Sequence, residues 1–327
     1  MFLVTGANGL VGSHLVEKLL AEGYQVRGLV RKTSNLANIA HLKFPLAIGD
    51  VTDFSSLRAA ADGAEVVFHL ASAVSDWGEG RLFRRVIVDG TLNLIRAAEK
   101  AKCRRIVFVS SATVCGFGRY GAGETSRAPR RHIPYVACKE RAETLIRSCS
   151  AIECVVIRPG NVFGPRDRLF FSPICRALEK GYMGYISGGK ALTCPSYVEN
   201  VADAIVLAGT VSAAAGKTYE ITDGLKITWR EFIEAVAKEL SVRPPWISIP
   251  RFAAEPTSLL AMLVYGAVGA RTAPFLTRYR ILNASTDYSF DILPARRELG
   301  YLPKVDFTES IRRSVQWYLG TRERRPR

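Results

Sequence analysis

The sequence predicts an α/β protein: a doubly wound parallel sheet followed by a smaller, mostly helical C-terminal region. Three observations carry that expectation. Short β-branched runs alternate with longer segments of helical periodicity through the first half. A glycine-rich turn sits between the first run and the first helical segment. After Pro165 the alternation loosens.

The runs at 2–5, 24–30, 46–49, 66–70, 106–110 and 154–157 read as strands, and 217–221 reads as a later strand returning to the same sheet. They are apolar nearly throughout, as strands covered on both faces are. Residues 12–21 and 90–101 carry apolar positions at helical spacing. Residues 228–240 read as a helix, with Thr228 as N-cap and Glu231 completing a capping box. The expected division is a first domain from 1–165 and 197–224, and a second from 166–196 and 225–327. The stretch 244–275 is rich in proline and alanine, with an apolar run from Leu259 to Ala270.

The turn Thr5-Gly6-Ala7-Asn8-Gly9-Leu10-Val11-Gly12 follows a strand and opens a helix. Glycines there permit a tight turn and close approach of a pyrophosphate, and the helix terminus offers free amides and a positive dipole end. In the context strand–turn–helix the motif reads as a dinucleotide site of Rossmann type. An acid at the end of the second strand usually binds the ribose hydroxyls of NAD. This chain has Val30-Arg31-Lys32 instead. Two cations suit a 2′-phosphate, so NADP is favoured over NAD. Arg31 and Lys32 as merely solvated side chains is the alternative. Asp50 and Val51, after the third strand, are placed to flank the adenine.

Tyr135 and Lys139 stand four residues apart, on one face of a helix that Pro134 is suited to begin. A phenol of ordinary pKa is a poor base at neutral pH, and a neighbouring ammonium is expected to lower it. Tyr135 then exchanges a proton with a substrate hydroxyl, while Lys139 also reaches the ribose. Ser110-Ser111-Ala112-Thr113 follows a strand upstream and supplies a hydroxyl beside the reacting oxygen. Trp77, after the fourth strand, is a candidate for the substrate pocket, with ordinary packing as the alternative. Arg166 and Arg168 are candidates for a substrate carboxylate, against solvated loop arginines.

Bulk composition narrows the classes. A hydrophobic content of 48% excludes a disordered chain, and 327 residues suffice for one large or two unequal domains. Seven scattered cysteines form no C-x-x-C pair, so free thiols in a reducing compartment fit best and no metal site is expected. No secretory signal is read at the N-terminus, and a cytoplasmic location is expected. The formal charge of +15 suits an anionic ligand or lipid surface. Part of it lies in the tail arginines 322, 324, 325 and 327, expected to fray. Zinc-finger spacing, an RNP-like motif and an aromatic-basic ladder are all missing from the sequence, which argues against nucleic acid.

Together these motifs resemble the extended short-chain dehydrogenase/reductase superfamily. The resemblance also rests on Gly49–Asp53, His69-Leu70-Ala71, Arg158–Pro165 and Tyr197–Val201. It implies Ser111, Tyr135 and Lys139 as the catalytic triad, with Ser110 the rival to Ser111. It implies a cofactor lined by Leu70, Ala71, Ser72 and Ser110 and by Pro159, Gly160, Asn161 and Val162. It also implies a homodimer built from the helix after Gly90 and the helix carrying Tyr135. Two departures stand out. Ile87 occupies the place of a frequent asparagine, and Val114-Cys115-Gly116 replaces Val-Tyr-Gly. The lost asparagine puts a water-linked proton relay there in doubt.

Residues 216–232 and 294–303 resemble the 3β-hydroxysteroid dehydrogenase branch, which includes sterol-4α-carboxylate 3-dehydrogenases and 2-alkyl-3-oxoalkanoate reductases. That resemblance implies a small hydrophobic substrate. The run Leu259–Ala270 is too short to span a bilayer. It covers a lipid-like substrate, lies at a membrane interface by peripheral association, or is a buried core helix; the sequence leaves all three open. Two other functions remain as alternatives: a nucleotide-sugar epimerase or dehydratase, and a non-catalytic NADP-sensing protein.

Overall fold

The chain is described by a computed structural model covering residues 1–120, 133–270 and 272–323. Of the tail arginines, 324, 325 and 327 lie outside the described residues, whereas Arg322 is ion-paired with Glu179. Seven strands form one sheet: β1 Phe2–Thr5, β2 Val26–Val30, β3 Leu46–Ile48, β4 Val66–His69, β5 Arg105–Val109, β6 Glu153–Pro159 and β7 Thr218–Ile221. Their order is β7-β6-β5-β4-β1-β2-β3, and every neighbouring pair is parallel. The chain winds outward from β1 to one edge, then returns to β4 and winds to the other. The two windings part between β1 and β4, where open α/β sheets bind their ligands.

Alternate strand residues feed two cores. Val4, Val66, Phe68, Val107, Val155 and Tyr219 face the helices Leu10–Ala21 and Val198–Thr210. Leu3, Val67, Ile106, Phe108 and Val156 face Phe54–Ala61, Gly90–Lys100 and Pro134–Ser148. The third strand is an exception to burial on both faces. It is a sheet edge, and Leu46 and Ile48 are exposed.

Strand limits shift by a residue or two from the sequence reading. β6 lengthens to Glu153–Pro159, and β2 starts at Val26, with Tyr24 stacked on Phe2 before the ladder begins. The helix expected over 90–101 is longer. It runs from Gly80 through a π-helical turn, Arg84–Asp89, into Gly90–Lys100. A π turn breaks the 3.6-residue period, so the apolar spacing misses it.

Beyond Pro165, helices Phe171–Glu179, Trp229–Glu239 and Phe307–Glu323 pack around Phe163 and Tyr197. The capping box forms: the Thr228 hydroxyl accepts from the Glu231 amide at 3.2 Å, and the Glu231 carboxylate accepts from the Thr228 amide at 2.7 Å. One segment departs from the expected division at 225. Ile292, Ala295, Leu299 and Tyr301 join the core beneath β7, and the Tyr301 hydroxyl donates to the Thr222 carbonyl at 3.0 Å.

Arg105, fully buried in β5, closes the helix Val198–Thr210. Its guanidinium donates to the carbonyls of Ala208 at 3.0 Å and Val211 at 2.7 Å and pairs with Glu153. These are the carbonyls a helix leaves without partners at its C-terminal end. Arg105→Met keeps the bulk but strips the donors. It is expected to lower stability by about 2–4 kcal/mol, as buried carbonyls left unpaired cost. The urea midpoint checks this, and an unchanged midpoint would show that the helix end needs no such partner.

Candidate active site

The glycine turn has the geometry its sequence calls for. Gly6 adopts φ +69°, in the left-handed region, and the Gly9 amide donates back to the Gly6 carbonyl at 3.0 Å. A Cβ on Gly12 would stand 2.1 Å from that same carbonyl oxygen, and one on Gly6 would stand 3.0 Å from Ala71 Cα. So the helix Leu10–Ala21 packs directly on the turn. Gly9 is its N-cap without a capping side chain, and the first turn holds no acid, which leaves that end open to an anion. Asn8 ties the turn to the segment after β2, donating to the Asn35 carbonyl at 3.1 Å and accepting from Asn38 at 3.0 Å. Arg31 and Lys32 open that segment, exposed and unpaired with any carboxylate among the described residues. The Asp50 carboxylate is occupied by the Thr52 amide and hydroxyl, and Val51 is buried against Gly90.

Behind the turn runs a directional hydrogen-bond chain that sequence reasoning missed. The Thr91 hydroxyl donates to the Ile87 carbonyl at 2.6 Å, so its oxygen can only accept from His69 Nε2, at 3.1 Å. His69 Nδ1 must then accept from the Thr5 hydroxyl, at 2.9 Å. The Thr5 oxygen in turn accepts the amides of Leu70 and Ala71, at 3.2 and 3.1 Å. Every donor has one acceptor only if the imidazole is neutral with its proton on Nε2. Burial agrees, pushing the His69 pKa down to about 3. The chain joins β1, β4 and the π turn.

Tyr135, Lys139 and Ser111 come together at the carboxyl end of β5. The helix Pro134–Ser148 begins at the expected proline. Ser111 Oγ accepts from the Thr113 amide at 3.3 Å and hydroxyl at 2.8 Å, and shares a hydrogen bond with Tyr135. With both lone pairs of Ser111 taken by Thr113, its proton points to the phenolic oxygen. The phenol's own proton is thereby not used by Ser111. Burial pushes the Tyr135 pKa up to about 12, against the pull of Ser111. This corrects the expectation that Lys139 lowers it: burial sets the direction, and the opposing pull comes from Ser111. Lys139 is itself buried, and its Nζ donates to the Val109 carbonyl at 2.8 Å and lies 4.9 Å over the Phe108 ring. Burial pulls its pKa down to about 8, with the Glu143 charge opposing.

Glu143, one turn further along and also buried, is gripped by Arg158 through bonds of 2.9 and 2.6 Å. Burial pushes its carboxyl up, but Arg158 more than offsets this and holds it below its ordinary value. A second phenol, Tyr279, is close enough to Tyr135 to feel its charge and packs edge-on against Phe117 at 5.8 Å. It comes from a helix, Arg278–Ser285, that carries no recognisable motif.

The remaining candidates divide. Trp77 is half-buried; its indole donates to the Ala270 carbonyl at 2.9 Å, and its ring meets Tyr265 edge-on at 6.5 Å. Arg166 does not face the Tyr135 cluster: Glu17 of the first helix binds its guanidinium through two oxygens. Arg168 is exposed. Asn161 is committed to a reciprocal amide pair with Asn283, at 3.3 and 3.1 Å, which redirects its side chain from a cofactor. Gly160 lies against Cys194, where a Cβ would fall 2.6 Å from its carbonyl oxygen. Pro159 is buried at the end of β6 and Val162 half-buried beyond it. Ser110 is buried beside Glu143. Ser72 Oγ is buried without a partner, next to Ala71 and the glycine turn. All seven cysteines are free thiols, and no cluster of metal-ligating side chains occurs among the described residues.

A glycine-lined helix terminus at the switch point of a parallel sheet, with a Tyr–Lys pair at its carboxyl edge, defines a dinucleotide-dependent enzyme of Rossmann type. The chain belongs to the NAD dependent epimerase/dehydratase family, which it matches over residues 2–222. It is 33% identical to the Arabidopsis thaliana 3beta-hydroxysteroid-dehydrogenase/decarboxylase isoform 2, over 96% of this chain but 61% of that protein's length. It is 26% identical to a Stenotrophomonas maltophilia 2-alkyl-3-oxoalkanoate reductase, over 95% of this chain and 97% of that one. Among solved structures, gox2253 superposes with a TM-score of 0.82 at 26% identity, covering 98% of each chain. A Thermus thermophilus UDP-glucose 4-epimerase in complex with NAD superposes at 0.74 with 25% identity, covering 98% of this chain and 99% of that one. A nicotinamide dinucleotide fits the residues present: a glycine cradle that a methyl group would fill, an uncapped helix terminus, and the orphaned Ser72 hydroxyl beside them.

Gly12→Ala puts a methyl group onto a backbone carbonyl that cannot yield. Binding of NADP and of NAD is expected to be lost while the fold persists, read by calorimetric titration alongside a thermal melt. Retained binding with an unchanged melt would show that the helix terminus is not the grip.

Proposed function

We propose that the chain interconverts a secondary alcohol and a ketone on a hydrophobic substrate, using NADP in preference to NAD, with Tyr135 as the proton donor and acceptor. The observation that supports this most directly is the Ser111–Tyr135 hydrogen bond, set beside the buried Lys139 ammonium. A bound nicotinamide dinucleotide supplies or takes up the hydride. Tyr135 delivers the proton to the carbonyl oxygen as it becomes an alcohol, and Ser111 donates to the phenolate that remains. Lys139, below its pKa of about 8, is a buried ammonium held on the Val109 carbonyl at the end of β5.

Substrate class rests on the relatives. Their names describe a 3beta-hydroxysteroid and a 2-alkyl-3-oxoalkanoate, each a greasy molecule reacting at an oxygen on carbon 3. NADP is favoured by Arg31 and Lys32, where charge-assisted bonds to a 2′-phosphate have no competing carboxylate among the described residues.

Tyr135→Phe is expected to lower NADPH consumption on a panel of 3-oxosteroids and 2-alkyl-3-oxo acids by roughly a hundredfold to ten-thousandfold, with cofactor binding retained. Turnover confined to nucleotide sugars would overturn the reading. The pH dependence has a definite sign. Reduction needs the protonated phenol, which a pKa of about 12 keeps available through neutral pH, so its rate is expected to fall only on the alkaline side. Oxidation needs the phenolate, so its rate is expected to climb with pH over that range. Profiles of kcat/KM in both directions check this.

Arg31→Ala is expected to weaken NADP binding about tenfold, the scale of one charge-assisted phosphate contact, and to leave NAD binding nearly unchanged. Equal effects on both cofactors would remove Arg31 as the phosphate reader.

A further inference from the structure

The helix Arg251–Ala267 turns its apolar residues outward. Phe252, Pro256, Leu259, Leu260, Leu263, Val264, Ala267 and Val268 recur at helical spacing on one exposed face, and none is charged. Phe252 is 81% exposed, Leu263 71% and Val268 72%. The opposite face carries the contacts with the protein: Ala254 and Ser258 are buried, and Tyr265 meets Trp77. Trp246, just before the helix, is 89% exposed. A contiguous apolar face of this kind marks an interaction surface.

We propose that this face docks on an anionic lipid bilayer, with the helix lying in the headgroup region and its leucines reaching the acyl chains. Charge is the first argument. The chain carries a formal +15, and exposed Arg243 and Arg278 lie before and after the helix in sequence, unpaired with carboxylates among the described residues. Arg243 precedes Trp246, and Arg278 opens the helix Arg278–Ser285, which packs on Arg251–Ala267. An apolar stripe with a tryptophan just before it and arginines before and after it in sequence is the pattern of an interfacial helix. Length is the second argument. No described helix is long and apolar enough to cross a membrane. Seventeen residues make a helix about 25 Å long, suited to lying flat.

The test is co-sedimentation of the full chain with vesicles. Equal parts phosphatidylcholine and phosphatidylglycerol are expected to pull the protein down. Phosphatidylcholine alone is expected to do so less, and added salt to weaken the binding. Leu260→Glu/Leu263→Glu alters only exposed positions. It is expected to keep the wild-type melting curve and lose at least about tenfold in partitioning, since each leucine contributes on that scale or more when buried. Mixed vesicles should also shift tryptophan emission to the blue, and Trp246→Phe should abolish most of that shift. Wild-type protein left in the supernatant would overturn the proposal, as would undiminished binding by the double variant. A loss of self-association in the double variant, seen by size exclusion without vesicles, would assign the face to a second copy of the chain instead.

Discussion

A single buried ammonium organises the catalytic edge of this sheet. Lys139 sits one turn along the helix that carries Tyr135, buried, and its charge has to be balanced where water cannot do it. The balance is spread over three strands. The Val109 carbonyl at the end of β5 accepts its hydrogen bond. Glu143, one turn along the same helix, supplies the opposite charge. Arg158 in β6 holds Glu143, and Glu220 in β7 accepts from Arg158 at 2.9 Å. Removing Glu143 leaves the buried Lys139 without its opposing carboxylate and Arg158 with Glu220 alone, the costly case of breaking an interior ion pair. The proposed proton chemistry therefore rests on Glu143, Arg158 and Glu220, which lie behind the Tyr135–Ser111 pair.

A second brace works on the cofactor side with neutral groups. The chain from Leu70 and Ala71 through Thr5, His69 and Thr91 to Ile87 is polarised one way from end to end. Protonating His69 would put a second donor against the Thr5 hydroxyl, whose own proton is already aimed at that nitrogen. The low pKa of the imidazole and the fixed direction of the chain are thus two views of one constraint. The π turn has a role here. Ile87, standing where relatives of the fold often place an asparagine, contributes through its backbone carbonyl and not through its side chain.

The parts legible in the sequence were those with a local signature. The glycine turn shows itself because a tight turn needs glycines at set positions. The capping box and the proline at the start of the Tyr135 helix show themselves because helix ends have a side-chain grammar. The parts missed depend on contacts between distant segments. Nothing near Glu143 announces Arg158, and nothing near Thr5 announces Thr91. Tyr279 reaches Tyr135 from a helix with no motif. Arg166 invited a substrate role because it follows a motif, yet Glu17, distant in sequence, already occupies it. The Tyr135 pKa is instructive for the same reason. Four-residue spacing puts Lys139 on the same helix face, but spacing carries no information about burial, and burial decides the sign.

The loop after β4 links the two ends of the molecule's chemistry. Asp76 accepts from Thr277 at 2.7 Å and pairs with Arg280 at 2.8 Å, while Trp77 is held by Ala270 and Tyr265. All four partners come from the segment that carries, or directly follows, the exposed apolar helix. The same loop descends from Ala71, which Gly6 and Thr5 hold against the glycine turn. A displacement of that helix therefore pulls on the wall beside the reacting edge without passing through the sheet. On one side the wall is fixed by backbone contact and buried hydrogen bonds. On the other it is held by the buried Thr277 hydroxyl, an ion pair and an indole donor.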